Sequence, residues 1–141
     1  MSPDSATAAS FGPRHLDLPH RDGVDRVAAG IMFVREALAE WHIGSGEEPA
    51  IDAVLVAAEL LSNAERHGGG GSSMDLEHPL GLLRLTVHDA NARAPRAVHP
   101  HLPDRVGGHG LFIVDRLSKA WGWRPGGGGK DVWAELPLPD R

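Results

Sequence analysis

The chain has 141 residues, with 18 glycines, 11 prolines, no cysteine and a formal net charge of −5 at pH 7. That length predicts a single domain, and the lack of cysteine excludes a disulfide scaffold, a thiolate metal site and a cysteine nucleophile. The negative charge, without a run of basic residues, argues against direct binding to nucleic acid or to an anionic membrane. With no signal-peptide pattern and no apolar stretch of spanning length, we expect a cytoplasmic protein.

The first residues are predicted to form a tail and a short strand. Residues 1–13 are mostly small or polar and show no periodicity, so we expect a flexible N-terminal tail followed by a domain over residues 14–138. Residues 14–18 alternate polar and apolar side chains, which predicts a short edge strand that Pro19 ends.

Two amphipathic helices are predicted next. Apolar side chains recur every three or four positions over residues 22–41 and again over residues 51–67. We expect Gly44 and Gly46 to end the first helix, and the four glycines at 68–71 to end the second. The glycine-rich stretch that follows, up to Gly81, is left without an assigned structure.

The second half of the chain is predicted to contain a strand, a loop and a short helix. Residues 80–88 are rich in leucine, threonine and valine, which predicts a strand that is buried on at least one face. Residues 91–108 carry three prolines and no periodicity, which predicts a mobile loop. A helix follows over residues 110–117.

The chain is predicted to close with a β-hairpin. Residues 121–124 and 131–138 resemble strands, and the turn between them, residues 125–130, contains four glycines. The order strand, helix, helix, strand, helix, strand, strand predicts an α+β fold with helices layered on a mainly antiparallel sheet.

A row of polar side chains lies on the second helix. Glu59, Asn63 and His67 are four residues apart, so they project from the same side of the helix. A carboxylate and an amide oxygen at that spacing can hold a hydrated Mg²⁺ and position a hydroxyl or a water. The same spacing is also common in an ordinary solvent-facing stripe.

Two further segments carry candidate binding residues. Asp89 ends the predicted strand, where a carboxylate can accept a hydrogen bond from an exocyclic amine or can simply begin a turn. Gly107, Gly108 and Gly110 open the third helix, where backbone amides can bind phosphate oxygens, although glycine is also an ordinary loop residue.

In this order, the three segments resemble the nucleotide-binding boxes of the GHKL superfamily, the histidine-kinase-like ATPases. Residues 59–67 resemble the N box, residues 89–95 the first glycine box and residues 108–111 the second. The opening strand and helix and the C-terminal stretch, residues 121–137, resemble those of the small stand-alone anti-sigma-factor serine/threonine kinases of bacteria, many of them from actinomycetes.

The resemblance implies a Bergerat fold, an α+β two-layer sandwich whose mixed, mainly antiparallel sheet is covered by helices on one face. It implies that Glu59 is the catalytic base or polarising group, that Asn63 is a ligand of Mg²⁺, and that Asp89 binds the adenine amino group. It also implies a lid within residues 96–107. The residues that it places at the nucleotide are Asn63, Asp89, Asn91, Gly108, Gly110 and Leu111. Asn91 stands where larger members have glycine.

The implied function is an ATP- and Mg²⁺-dependent kinase that phosphorylates a serine or threonine of an anti-anti-sigma (STAS-domain) partner and regulates a sigma factor by partner switching. Homodimerisation is a further expectation. One alternative is a non-catalytic ATP-binding module whose lid controls a protein interaction, and another is a fold that binds only protein. The length leaves no room for a phosphoacceptor helix pair, so we do not expect a complete sensor histidine kinase.

Two further expectations concern the predicted loop. Arg93, Arg96 or Arg105 could help to neutralise the triphosphate charge. His99 and His101 are expected to be lid residues rather than zinc ligands, because no cysteine, helical histidine pair or adjacent carboxylate accompanies them.

Overall fold

A computed structural model of the chain describes residues 12–21, 23–67, 69–91 and 109–139. Its elements are β1 (Arg14–Asp17), α1 (Arg26–Glu40), α2 (Glu48–His67), β2 (Gly71–Glu77), β3 (Leu82–Asp89), α3 (His109–Leu117), β4 (Ala120–Gly126) and β5 (Gly129–Pro137). Most of the predicted N-terminal tail and nearly all of the predicted loop, including the predicted lid, lie outside the described residues.

The described strands form one sheet in the order β1-β2-β3-β5-β4. Each pairing in that sheet is antiparallel, where a mixed, mainly antiparallel sheet was expected. Alternate residues of β3 and β5 are buried against the helices, among them Leu83, Leu85, Ala134 and Leu136. This alternation places the three helices on one face of the sheet and confirms the predicted α+β class.

The first helix is shorter than its apolar pattern predicted, because both of its ends are capped. Asp25 is the N-cap, and its carboxylate accepts a hydrogen bond of 3.0 Å from the amide of Ala28. At the other end, His42 has a positive φ of 62°, and the amide of Ile43 reaches back to the carbonyl of Leu38. This left-handed cap ends α1 before the two glycines that were expected to end it.

Helix α1 packs closely on α2 at a glycine. A Cβ atom added at Gly30 would lie 2.5 Å from Cδ1 of Leu61, so the missing side chain makes room for this leucine. Val34, Ala57 and Leu60 are also fully buried in the same core. Because α2 packs against both other helices and against the sheet, it holds its polar row in a fixed position over the strands.

Strand β2 was not predicted, and it lies in the glycine-rich stretch between Gly68 and Gly81. Met74 and Leu76 are fully buried, whereas the residues between and after them, Asp75 and Glu77, are on the other face. The strand pairs with both β1 and β3, so it fills the gap between them. Only two of its seven residues, Met74 and Leu76, are apolar and face the core, so its alternating pattern is too short to predict a strand.

The closing hairpin has a tighter turn than predicted. Strands β4 and β5 continue to Gly126 and Gly129, which leaves Gly127 and Gly128 as a two-residue turn. Their φ angles are 56° and 80°. Positive φ at both central residues is the geometry of the turns that suit twisted hairpins, and glycine adopts it without steric cost.

Candidate functional site

Asp89, the last residue of β3, is completely buried. Its Oδ1 atom accepts a hydrogen bond of 2.9 Å from the backbone amide of Asn91 and one of 3.0 Å from Nζ of Lys130. Its Oδ2 atom is also buried, and no hydrogen-bond donor of the described chain reaches it. Buried carboxylate oxygens almost always have a donor, so this atom is suited to a donor that comes from a ligand.

Lys130 lies opposite Asp89 in the pairing of β3 with β5 and is 1% exposed. Besides its bond to the carboxylate, its Nζ atom donates to the carbonyl of Asn91 at 2.9 Å. The side chain of Asn91 in turn donates to the carbonyl of His67, the last residue of α2, at 2.7 Å. These contacts connect the end of β3, the start of β5 and the end of the helix that carries the polar row.

The backbone also approaches Asp89 closely at Gly129. A Cβ atom added at Gly129 would lie 1.8 Å from the carbonyl oxygen of Asp89 and 2.8 Å from Cα of Ala90. Atoms at such distances overlap, so the strand can pass Asp89 here only because Gly129 has no side chain.

Glu59 and Asn63 lie one turn apart on α2, as predicted. Asn63 is 3% exposed, and Glu59 is half-buried. Within the described chain, Glu59 makes no ion pair or hydrogen bond through its carboxylate. A free carboxylate beside a nearly buried amide supplies oxygen ligands, which is the donor type that Mg²⁺ prefers. The donor set therefore fits the predicted metal.

Glu65 lies on the same helix but belongs to a structural ion pair. Its two carboxylate oxygens accept hydrogen bonds of 2.6 and 2.8 Å from Nε and Nη2 of Arg26 on α1. These hydrogen bonds lower the pKa of Glu65 from its ordinary value. The pair joins the beginning of α1 to the end of α2. Because both of its oxygens bind Arg26, Glu65 is not a candidate ligand or base of the site.

The third predicted segment is described in part. Gly110 is the second residue of α3, and Leu111, in the first turn, is 1% exposed and belongs to the buried interior. Gly108, the three arginines of the predicted loop and the His99–His101 pair lie outside the described residues. The structure joins Asp89 to Asn91 by a hydrogen bond, and it joins Asn91 to His67, which lies one turn beyond Asn63 on α2.

A cavity of about 680 Å³ lies elsewhere, between the end of α1 and the start of α2. Leu38, His42, Ile51 and Leu55 are among its lining residues, and none of the predicted site residues is. Among the described helices, none is both long and apolar enough to cross a membrane.

Lys130 is the site residue that sequence reasoning missed. It shares the inward face of β5 with Val132, Ala134 and Leu136, all of them buried. A lysine at an inward position of an alternating strand is a signal for a buried charge that needs a partner. The sequence carries this signal. The predicted turn over residues 125–130 included Lys130, however, so the lysine was not assigned to the strand.

A known protein family matches most of the chain. The family description "Histidine kinase-like ATPase domain" matches residues 24–136, which contain every element from α1 to β5 except Pro137, the last residue of β5. No curated protein matches the chain. The match covers most of the chain, and the fold is the two-layer arrangement expected of such a domain. The chain therefore belongs to the histidine kinase-like ATPase family, which implies that it binds ATP.

Proposed function

We propose that the protein is an ATP- and Mg²⁺-dependent serine/threonine kinase of the anti-sigma-factor type, which phosphorylates a STAS-domain partner and regulates a sigma factor by partner switching. The observation that carries the proposal is the buried Oδ2 atom of Asp89, which has no donor. In a histidine kinase-like ATPase domain, the amino group of adenine is the donor of the right chemistry for this atom.

The polar row of α2 supplies the groups that phosphoryl transfer needs. Asn63 would hold Mg²⁺, which when bound would neutralise charge on the phosphates. Glu59 accepts the proton of the attacking hydroxyl. The bond from the γ-phosphorus to the bridging oxygen breaks as the bond to the seryl or threonyl oxygen forms, and ADP leaves. The free, half-buried carboxylate of Glu59 supports this role, because no described cation neutralises it.

A transfer assay tests the proposal. The full chain is incubated with γ-labelled ATP, Mg²⁺ and purified candidate STAS-domain proteins, and the label on each STAS protein is measured. Glu59→Gln should lower the rate of transfer at least 100-fold while ATP binding persists, because general-base catalysis contributes about 10²–10⁴. Asn63→Ala should weaken the dependence on Mg²⁺. Asp52→Asn on the same helix is the matched control and should leave the rate unchanged.

The outcomes separate the candidate functions. Nucleotide binding without transfer to any partner would support the non-catalytic ATP-binding module instead. Absence of nucleotide binding would leave a fold that binds only protein. A Glu59→Gln variant as active as the wild type would refute the assigned base.

A further inference from the structure

The ion pair between Lys130 and Asp89 is unusual because both side chains are almost fully removed from water. Their exposed fractions are 2% and 1%, and their charged atoms are 3.0 Å apart. Removing two charges from water costs several kcal/mol per ion, so such a pair is often no more stable than an apolar pair of the same size. Stability alone is therefore a weak reason for a lysine at this position.

The two carboxylate oxygens of Asp89 differ in their hydrogen bonds. Lys130 and the amide of Asn91 both donate to Oδ1, while Oδ2 receives no donor. Lys130 also holds the carbonyl of Asn91, so a single ammonium group fixes both the carboxylate and the backbone beside it. The lysine thus orients Asp89 with one oxygen unused.

A carboxylate that keeps its charge can only accept hydrogen bonds, whereas a protonated acid can also donate one. Adenine presents an amino group, a donor, at its 6-position, whereas hypoxanthine and guanine present a carbonyl oxygen, an acceptor. A charged carboxylate at Asp89 thus attracts the adenine amino group and repels the carbonyl oxygen of hypoxanthine or guanine. Without Lys130, the buried carboxylate of Asp89 would have no counter-charge, and its Oδ1 atom would lose one of its two donors.

We propose that Lys130 is a specificity-determining residue that acts through Asp89: by pairing with this carboxylate and holding it with Oδ2 unused, it makes the site reject 6-oxopurine nucleotides. This inference rests on the proposed ATP site. Lys130 is a positioning residue, since the ligand meets Oδ2 of Asp89 and not the ammonium group.

The test compares two triphosphates that differ mainly at the 6-position. Dissociation constants for ATP and inosine triphosphate are measured by calorimetry at pH 7 on the full chain and on Lys130→Met, which has a similar length and no charge. We expect the wild type to prefer ATP by about 100-fold or more, since a site built around one hydrogen bond strongly rejects the wrong partner. In the variant, this ratio should fall at least 10-fold.

Two further variants make the result interpretable. Lys130→Gln retains a hydrogen-bond donor but removes the charge, so it should lose discrimination as well and serves if Lys130→Met does not fold. Lys119→Met removes the other lysine of the chain, which is exposed, and should keep the wild-type ratio.

Each outcome has one meaning. If both affinities fall together in the Lys130 variants and the ratio stays constant, the lysine has only a structural role and the inference is overturned. If the wild type binds ATP but does not discriminate against inosine triphosphate, the inference also fails, while the ATP site stands. If the wild type binds neither nucleotide, the proposed function fails, and the inference fails with it.

Discussion

Replacing Gly129 by alanine should destabilise the protein strongly, because β5 passes Asp89 without space for a side chain. The added Cβ atom would lie 1.8 Å from the Asp89 carbonyl oxygen, and real Cβ atoms essentially never come within 3.0 Å of a neighbour. The two backbones must therefore separate by more than 1 Å, which is about a quarter of the normal spacing between strands of about 4.8 Å.

The magnitude follows from what that separation breaks. At least two ladder hydrogen bonds around the Asp89–Lys130 pairing are weakened, at about 1 kcal/mol each, and the buried ion pair loses its geometry. Overpacking alone costs about 1–3 kcal/mol. We expect the free energy of unfolding to fall by about 3–5 kcal/mol, a large part of the roughly 5–15 kcal/mol that stabilises a typical domain.

Urea denaturation at pH 7 measures this loss, with Gly126→Ala as the matched control. Gly126 faces Gly129 across the hairpin, but a Cβ atom there would meet nothing nearer than an Asp131 oxygen at 4.0 Å. The control should change the free energy of unfolding by less than about 1 kcal/mol. Equal stabilities of the two variants would refute the steric reasoning.

The remaining predictions concern ionisable pairs outside the nucleotide site. Because hydrogen bonds from Arg26 lower the pKa of Glu65, this pair stabilises the fold above the ordinary pKa of 4.5 and loses its effect as pH falls through the lowered value. Glu65→Gln should thus cost about 1 kcal/mol or less in urea denaturation at pH 7, and this cost should shrink as pH falls through the lowered pKa; a constant cost would contradict the assignment. Hydrogen bonds to Asp75 and then Asp17 raise the pKa of His15 above 6.5, so its contribution is complete below pH 6.5 and is lost as pH rises through the raised value. An NMR titration should show this raised pKa, and Asp75→Asn should lower it more than Asp17→Asn; the reverse order would exclude Asp75 as the main partner.

Local sequence patterns predicted the elements whose signals are local. The apolar period of α2 and the leucine- and valine-rich run of β3 placed both elements, and the position of Asp89 at the end of β3 followed from that run. Strand β2 escaped because Met74 and Leu76 are its only strongly apolar residues, and its strand character depends on pairing with both β1 and β3. A pairing between distant segments is invisible in a local pattern.

In the candidate site, too, the residues with local signals were predicted and a contact between distant segments was not. Glu59, Asn63 and Asp89 were identified by spacing and by resemblance, and Asp89 and Asn91 are joined in the structure by a hydrogen bond. The contact of Lys130 with Asp89 joins residues 41 positions apart and depends on the register of β3 with β5. Strands β3 and β5 are not consecutive in the chain, so no local turn pattern in the sequence shows their register.

The strand order has a consequence for how copies of the chain meet. Strands β1 and β4 are at the two edges of the described sheet, where exposed backbone groups can recruit another strand. Strand β1 offers only four residues, and β4 includes Pro125, which has no N–H to donate. Neither of these described edges provides a long, uniform template, which disfavours growth into a continuous intermolecular sheet.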